Sequence, residues 1–175
     1  MRTIVQVFVA LLAITACSSR RTTKTSDNAN VNSWSTVHIG SVYETKTVTR
    51  LEKPFVHETE TTTKQTLIAR NETEASIKIE IAEGTALSAQ DVKVSLHQDA
   101  ELAHTGSKVT TASDTCTVPA GTFDCTRTTV EVRDGDVTRS TVTWTAKKIP
   151  VPVKSVVTNE NMTVTTELTK IAAGG

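Results

Sequence analysis

The chain has 175 residues, with 19 basic and 19 acidic side chains and a sequence pI near 6.9. Balanced charge leaves no electrostatic footprint for nucleic acid or for an acidic surface partner, and an aromatic content of 3% argues against stacking platforms and aromatic-lined cofactor pockets. Threonine is the exception to an ordinary composition: 34 residues, a β-former that suits strands with one wet face.

At the start, Arg2 precedes an uncharged run from Ile4 to Ala16. That run is shorter than the ~20 apolar residues of a spanning helix and fits the apolar region of a signal peptide. The stretch L-A-I-T-A-C-S, Leu12 to Ser18, resembles the lipobox of bacterial lipoproteins, with Ile14 where leucine is usual. The resemblance implies residues 1–16 as a signal peptide, cleavage before Cys17, and a lipid on Cys17 that anchors the protein to a membrane. The competing reading is an ordinary secretory signal with an incidental cysteine. In such lipoproteins an aspartate after the cysteine often marks inner-membrane retention; Ser18 stands there instead. The expected location is therefore the bacterial cell envelope, at the outer membrane and facing the periplasm. Residues 17–33 then form a polar tether, about 20–25 Å long on average as random coil.

From Trp34 onward the hydrophobic period is two. Ala75, Ile77, Ile79 and Ile81 alternate with Ser76, Lys78 and Glu80; Val92, Val94 and Leu96 alternate with Lys93 and Ser95; Met162, Val164, Thr166 and Leu168 do the same near the end. Residues 34–175 are expected to form one antiparallel all-β domain, with at most one or two short helical turns, near Leu87–Asp91 or Asp99–His104. His57 to Gln65 is polar on both faces, which reads as an exposed extension or edge strand, or as a strand lining a wet cavity.

Turn residues set an expected register. Asp134-Gly135 predicts a two-residue hairpin turn that pairs Val132 with Val137 and Cys125 with Trp144. Pro119-Ala120-Gly121-Thr122 pairs Val118 with Phe123 and hence Cys116 with Cys125. Asn159-Glu160 pairs Val157 with Met162 and Val151 with Leu168, and Pro150 and Pro152 mark an edge or bulge before that strand. Three cysteines are odd in number, but with Cys17 lipidated the other two remain as a pair in an oxidising compartment. A Cys116–Cys125 disulfide is expected on that register, with two reduced buried thiols as the alternative; closing so short a loop contributes roughly 2.5–3 kcal/mol on the chain-entropy model.

The segment T-C-T-V-P-A-G-T-F-D-C, then Trp144, then I-P-V-P-V-K-S is similar to a family of uncharacterised bacterial exported proteins that carry a V-P-A-G-T-F-x-C hairpin, a strand ending in Trp and a P-V-K segment. The likeness covers roughly Thr115 to Leu168. Such proteins look like the periplasmic lipoprotein carriers LolA and LolB. That resemblance implies a curved antiparallel meander, a half-barrel or open barrel, whose concave face holds acyl chains.

No catalytic constellation is found. His38, His57, His97 and His104 lack metal-site spacing, Glu58 and Glu60 share a strand face without a pocket, and the glycines are isolated turn residues. No enzyme activity, cofactor or metal is expected. Two functional readings remain. One is a lipid-anchored envelope module, structural or protein-binding, attached to the membrane through Cys17. The other is a periplasmic carrier or sensor of an apolar ligand, an acyl chain or a lipoprotein, held on an aliphatic face made of Ile77, Ile79, Val94, Val153, Val164 and Leu168.

Overall fold

The structure is a computed structural model and describes residues 33–53, 55–96, 107–134 and 137–175. The signal peptide, Cys17 and all of the tether but Ser33 lie outside these residues. So do the expected turns at Asp99–His104 and Gly135. After a short 3-10 turn at Ser33–Thr36 come nine strands: β1 Val42–Leu51, β2 His57–Arg70, β3 Glu74–Glu83, β4 Ala86–Ser95, β5 Ser107–Val118, β6 Gly121–Asp134, β7 Val137–Ala146, β8 Lys154–Thr158 and β9 Met162–Ala172. Leu87–Asp91 is strand, not a helical turn. All nine join one antiparallel, curved and open sheet in the order β4-β3-β2-β1-β9-β8-β7-β6-β5.

Read as a ring, that order is the chain order. The sheet is an up-and-down meander whose first and last strands are paired, β1 with β9, while β4 and β5, neighbours in sequence, form its two edges among the described residues. β2 lies between β1 and β3, so the strand that holds the polar stretch from His57 to Gln65 is not an edge strand. Thr61 to Gln65 is paired on both sides, whereas His57 to Glu60 runs past the end of β3 and pairs with β1 alone, an exposed extension.

The three expected hairpins form, each displaced by two residues. Val118 opposes Gly121, so Cys116 faces Phe123 and Cys125 faces Asp114. The turn uses Pro119 and Ala120 alone because Gly121 enters β6 at φ 137°, a conformation that favours glycine. Val132 opposes Arg139 and Cys125 opposes Ala146; Val157 opposes Val164. Because side chains alternate with period two, a two-residue displacement keeps every side chain on its expected face. Bulges that a sequence pattern does not show interrupt β2 at Leu67/Ala69 and the β1–β9 pairing at Glu44/Thr45.

The core gathers at one end of the sheet, called the base here. Tyr43 lies near the start of β1, Leu67 near the end of β2, Ile77 and Ile79 near the start of β3, Val153 just before β8 and Leu168 within β9; all are buried with Trp34, Val37 and Leu96 in one cluster. Trp34 stands edge-on to Tyr43, with ring centroids 5.6 Å apart and planes at 89°, a favoured aromatic geometry. Arg70 holds this segment down, its guanidinium donating to the carbonyls of Trp34 (3.3 Å), Val37 (2.8 Å) and Ser35. At the other side of the base, Ala120 N–H donates to the Leu168 carbonyl at 3.2 Å. The tip of the β5–β6 hairpin thus reaches across β7 and β8 to dock on β9. Away from the base the strands project: β2 and β6, 14 residues each, run about 45 Å at ~3.3 Å per residue.

Candidate functional site

Strand alternation and the observed register sort the projecting sheet into two chemically distinct faces. Directly opposed residues share a face, so rows can be followed across strands. One row runs Thr61, Thr47, Thr166, Ser155, Thr143, Thr128, Thr111, from β2 to β5. Every member carries a hydroxyl, and at about 4.8 Å per strand the row spans roughly 29 Å. The next row toward the strand ends is Thr59, Thr49, Val164, Val157, Thr141, Val130, Val109, all threonine or valine. Within these two rows no residue is charged. Charges return on this face at the strand ends, with Glu83 and Arg139, at Asp124 on β6, and at Arg70 in the base.

The opposite face carries the ion pairs. Lys46–Glu60 (2.7 Å), Lys64–Glu80 (3.0 Å), Lys78–Glu80 (3.3 Å), Lys154–Glu167 (2.7 Å) and Lys170–Glu44 (3.4 Å) bridge neighbouring strands or neighbours on one strand. Lys93–Glu74, Lys108–Glu131 and Arg127–Asp114 fall on the same face by register. Such exposed pairs contribute little to stability individually, because solvent screens them; together they keep that face wet. Glu80 shows the effect, its carboxyl held below the usual glutamate value by hydrogen bonds from Lys64 and Lys78.

Over β1 to β3 the uncharged face is the more enclosed of the two; at the β5–β6 hairpin the order reverses, with Ser113, Thr115 and Thr126 exposed and Cys116, Val118 and Cys125 buried. Along β2, Thr59, Thr61 and Thr63 are half-buried while Glu58, Glu60 and Thr62 are exposed. Thr45 and Thr143 are buried outright. Thr47 and Thr166 hydroxyls meet at 2.9 Å, so neighbouring strands share hydrogen bonds across the row.

The structure places all six of the aliphatic residues singled out from the sequence on this uncharged face. Ile77, Ile79, Val153 and Leu168 are 3%, 6%, 0% and 0% exposed and belong to the base core; Val94 and Val164 are half-buried. What lies open beside them is hydroxyl and methyl, not a continuous aliphatic floor.

On the charged side of the β5–β6 hairpin, Cys116 and Cys125 are buried free thiols in contact with each other, diagonal neighbours rather than directly opposed. Burial pushes both thiols up from the usual cysteine value. Beside them Trp144 Nε1 donates to Asp114 Oδ2 at 3.0 Å and Arg127 lies 3.5 Å from the same oxygen. The indole bond first, then the Thr115 backbone N–H and the Arg127 charge, hold Asp114 below the usual aspartate value. A shallow depression of about 600 Å³, open to solvent, lies on the opposite, uncharged side of this hairpin, where Ser113, Thr115, Asp124, Thr126 and Thr145 line it.

Among the described residues no three His, Cys, Asp or Glu side chains are placed to hold a metal ion, and no helix is long and apolar enough to cross a membrane. Glu58 and Glu60 share the charged face, where Glu60 is taken up by Lys46. The feature that sequence reading missed is the threonine array. Its signal was present as T-x-T repeats at Thr45–Thr49, Thr59–Thr63 and Thr141–Thr145, but only cross-strand register turns those repeats into rows.

No protein-family model matches the sequence, and no curated protein matches it. Among solved structures the chain is similar to a presumptive exported protein with a YmcC-like fold from Bacteroides fragilis NCTC 9343, with TM-score 0.50 and 10% identity, over 78% of this chain and 97% of that one. That similarity carries the fold. It gives no support to the V-P-A-G-T-F-x-C hairpin family or to the likeness to LolA and LolB.

Proposed function

We propose that this protein is a lipid-anchored lipoprotein of the bacterial envelope, held at the outer membrane through Cys17 and facing the periplasm, whose sheet serves as a non-catalytic interaction module. The observation that carries the interaction reading is the segregation of charge. The eight ion pairs among the described residues sit on one face, and two full rows of uncharged hydroxyl and β-branched residues cross seven strands on the other. A face meant only for solvent has no need of that restraint. Threonine offers a methyl and a hydroxyl at each position, which suits a partner that is uncharged and carries its own hydrogen-bonding groups.

Export is supported by the sequence from Leu12 to Ser18 and by the fold likeness to a presumptive exported protein; anchoring rests on that sequence alone. In an oxidising compartment the touching thiols of Cys116 and Cys125 join as a disulfide that fixes the hairpin tip. The carrier reading, with an acyl chain or lipoprotein on the aliphatic face, is the weaker one, because four of its six residues are spent on the base core. Mass spectrometry of the protein isolated from bacterial membranes tests the anchor. The expected N-terminal peptide begins at Cys17 and carries diacyl or triacyl mass; an unmodified Cys17 or a retained Met1 overturns it. Non-reducing peptide mapping of the same sample is expected to join Cys116 to Cys125, and quantitative alkylation of both overturns that pairing.

A further inference from the structure

The edge strand β4 carries only two charged residues, Asp91 and Lys93, to discourage strand addition. It has ten residues paired with β3 without a bulge, contains no proline, and its first half, Ala86 to Gln90, is uncharged and exposed. The other edge, β5, ends in a tip already docked on β9. We propose that β4 pairs antiparallel with β4 of a second copy of this chain, about a two-fold axis at Val92.

Three independent features of β4 agree on that arrangement. Leu96 N–H donates to the Thr73 carbonyl at 2.7 Å, so even-numbered residues turn their backbone groups toward β3. Leu87, Ala89, Asp91 and Lys93 then turn theirs outward. An axis at Val92 sets Asp91 opposite Lys93 of the second copy, and Lys93 opposite Asp91 of the second copy. Each such pair is outward-facing on both strands and exchanges two backbone hydrogen bonds.

The charges fit the same axis and reject its neighbours. Asp91 has no ion pair among the described residues, and Lys93, 73% exposed in its side chain, reaches Glu74 only at 3.7 Å. At the Val92 axis both find opposite charges across the strands, a pairing that stabilises a sheet. Moving the axis one residue in either direction sets Asp91 against Asp91 or Lys93 against Lys93. The register is therefore specified by repulsion as well as attraction.

The two faces also continue. Asp91 and Lys93 lie on the ion-paired face, and Val92 and Val94 on the uncharged one, so the joined sheet keeps one charged and one uncharged side. The contact is isologous and closes at two copies.

Cysteine substitution in the full chain, expressed in a bacterial host and treated with a membrane-permeant oxidant, tests this directly. At the axis the two Val92 positions form a non-hydrogen-bonded pair with Cα atoms about 4.5 Å apart, within disulfide reach. Val92→Cys is expected to give a reducible dimer. Val94→Cys sets its copies about 13 Å apart and is expected to give none beyond the unsubstituted chain. Adding Asp91→Lys to Val92→Cys is expected to abolish the dimer, and adding Lys93→Asp as well to restore it. A monomeric Val92→Cys protein, equal crosslinking by Val94→Cys, or a dimer indifferent to Asp91→Lys overturns the proposal.

Discussion

Leu168→Ala separates a packed core from an open ligand groove. Leu168 is fully buried, sits beside the β1–β9 bulge opposite Thr45, and exchanges backbone contacts with Val153 and with Ala120 at the docked hairpin tip. Truncation removes three carbons, at about 0.8 kcal/mol each. It also leaves a void among strands tied together by backbone hydrogen bonds, which relax little. The expected loss is about 3 kcal/mol in urea unfolding, or about 10 °C in Tm for a domain of this size. Val164→Ala, two residues earlier on the same face but half-buried, is expected to cost about 1 kcal/mol or less. A groove-lining Leu168 behaves otherwise: truncation leaves stability nearly unchanged, because its surroundings are solvent or ligand. A loss under about 1 kcal/mol for Leu168→Ala, or equal losses at the two positions, refutes the assignment of this residue to the core.

Two further outcomes follow from the base and the hairpin. Arg70→Ala removes the donor that holds the carbonyls of Trp34, Ser35 and Val37; a stability loss of about 1.5–3 kcal/mol with a red-shifted emission from Trp34 is expected, best read in a Trp144→Phe background. The Asp114 carboxyl is held low in the folded protein, so its stabilising contribution is complete above the ordinary aspartate pKa and is lost as pH falls through the lowered folded value. Asp114→Asn is therefore expected to flatten the acid limb of a stability–pH curve measured by denaturant unfolding, leaving its slope above pH 7 unchanged.

The sidedness of the strands was legible in the sequence, and their pairing partners were not. Ile77, Ile79, Val94, Val153, Val164 and Leu168 do share one face, because apolar alternation carries face information at every residue. Partner identity rests on the turn, and Pro119-Ala120 closes with two residues where four were expected; the same two-residue displacement recurs at the β6–β7 and β8–β9 turns. The directly opposed cysteines were lost in that step, while their common face survived. The position of the open seam was beyond local pattern, since β4 and β5 are adjacent in sequence and unpaired in space. His57 to Gln65 was half legible for a related reason: its first four residues are the expected exposed extension, and Thr61 to Gln65 are interior. Its Thr59, Thr61 and Thr63 look like solvent residues until β1 supplies Thr49, Thr47 and Thr45 opposite them.

Thr61 and Thr62 are adjacent on β2 and point to opposite faces, Thr61 to the uncharged rows and Thr62 to the ion-paired side. A photoreactive residue placed at each position in turn, in the full chain within living cells, measures which face meets the partner. A discrete crosslinked adduct from position 61 and none from position 62 is the predicted result. Equal crosslinking from both positions, or an adduct from position 62 alone, contradicts the uncharged face as the working surface.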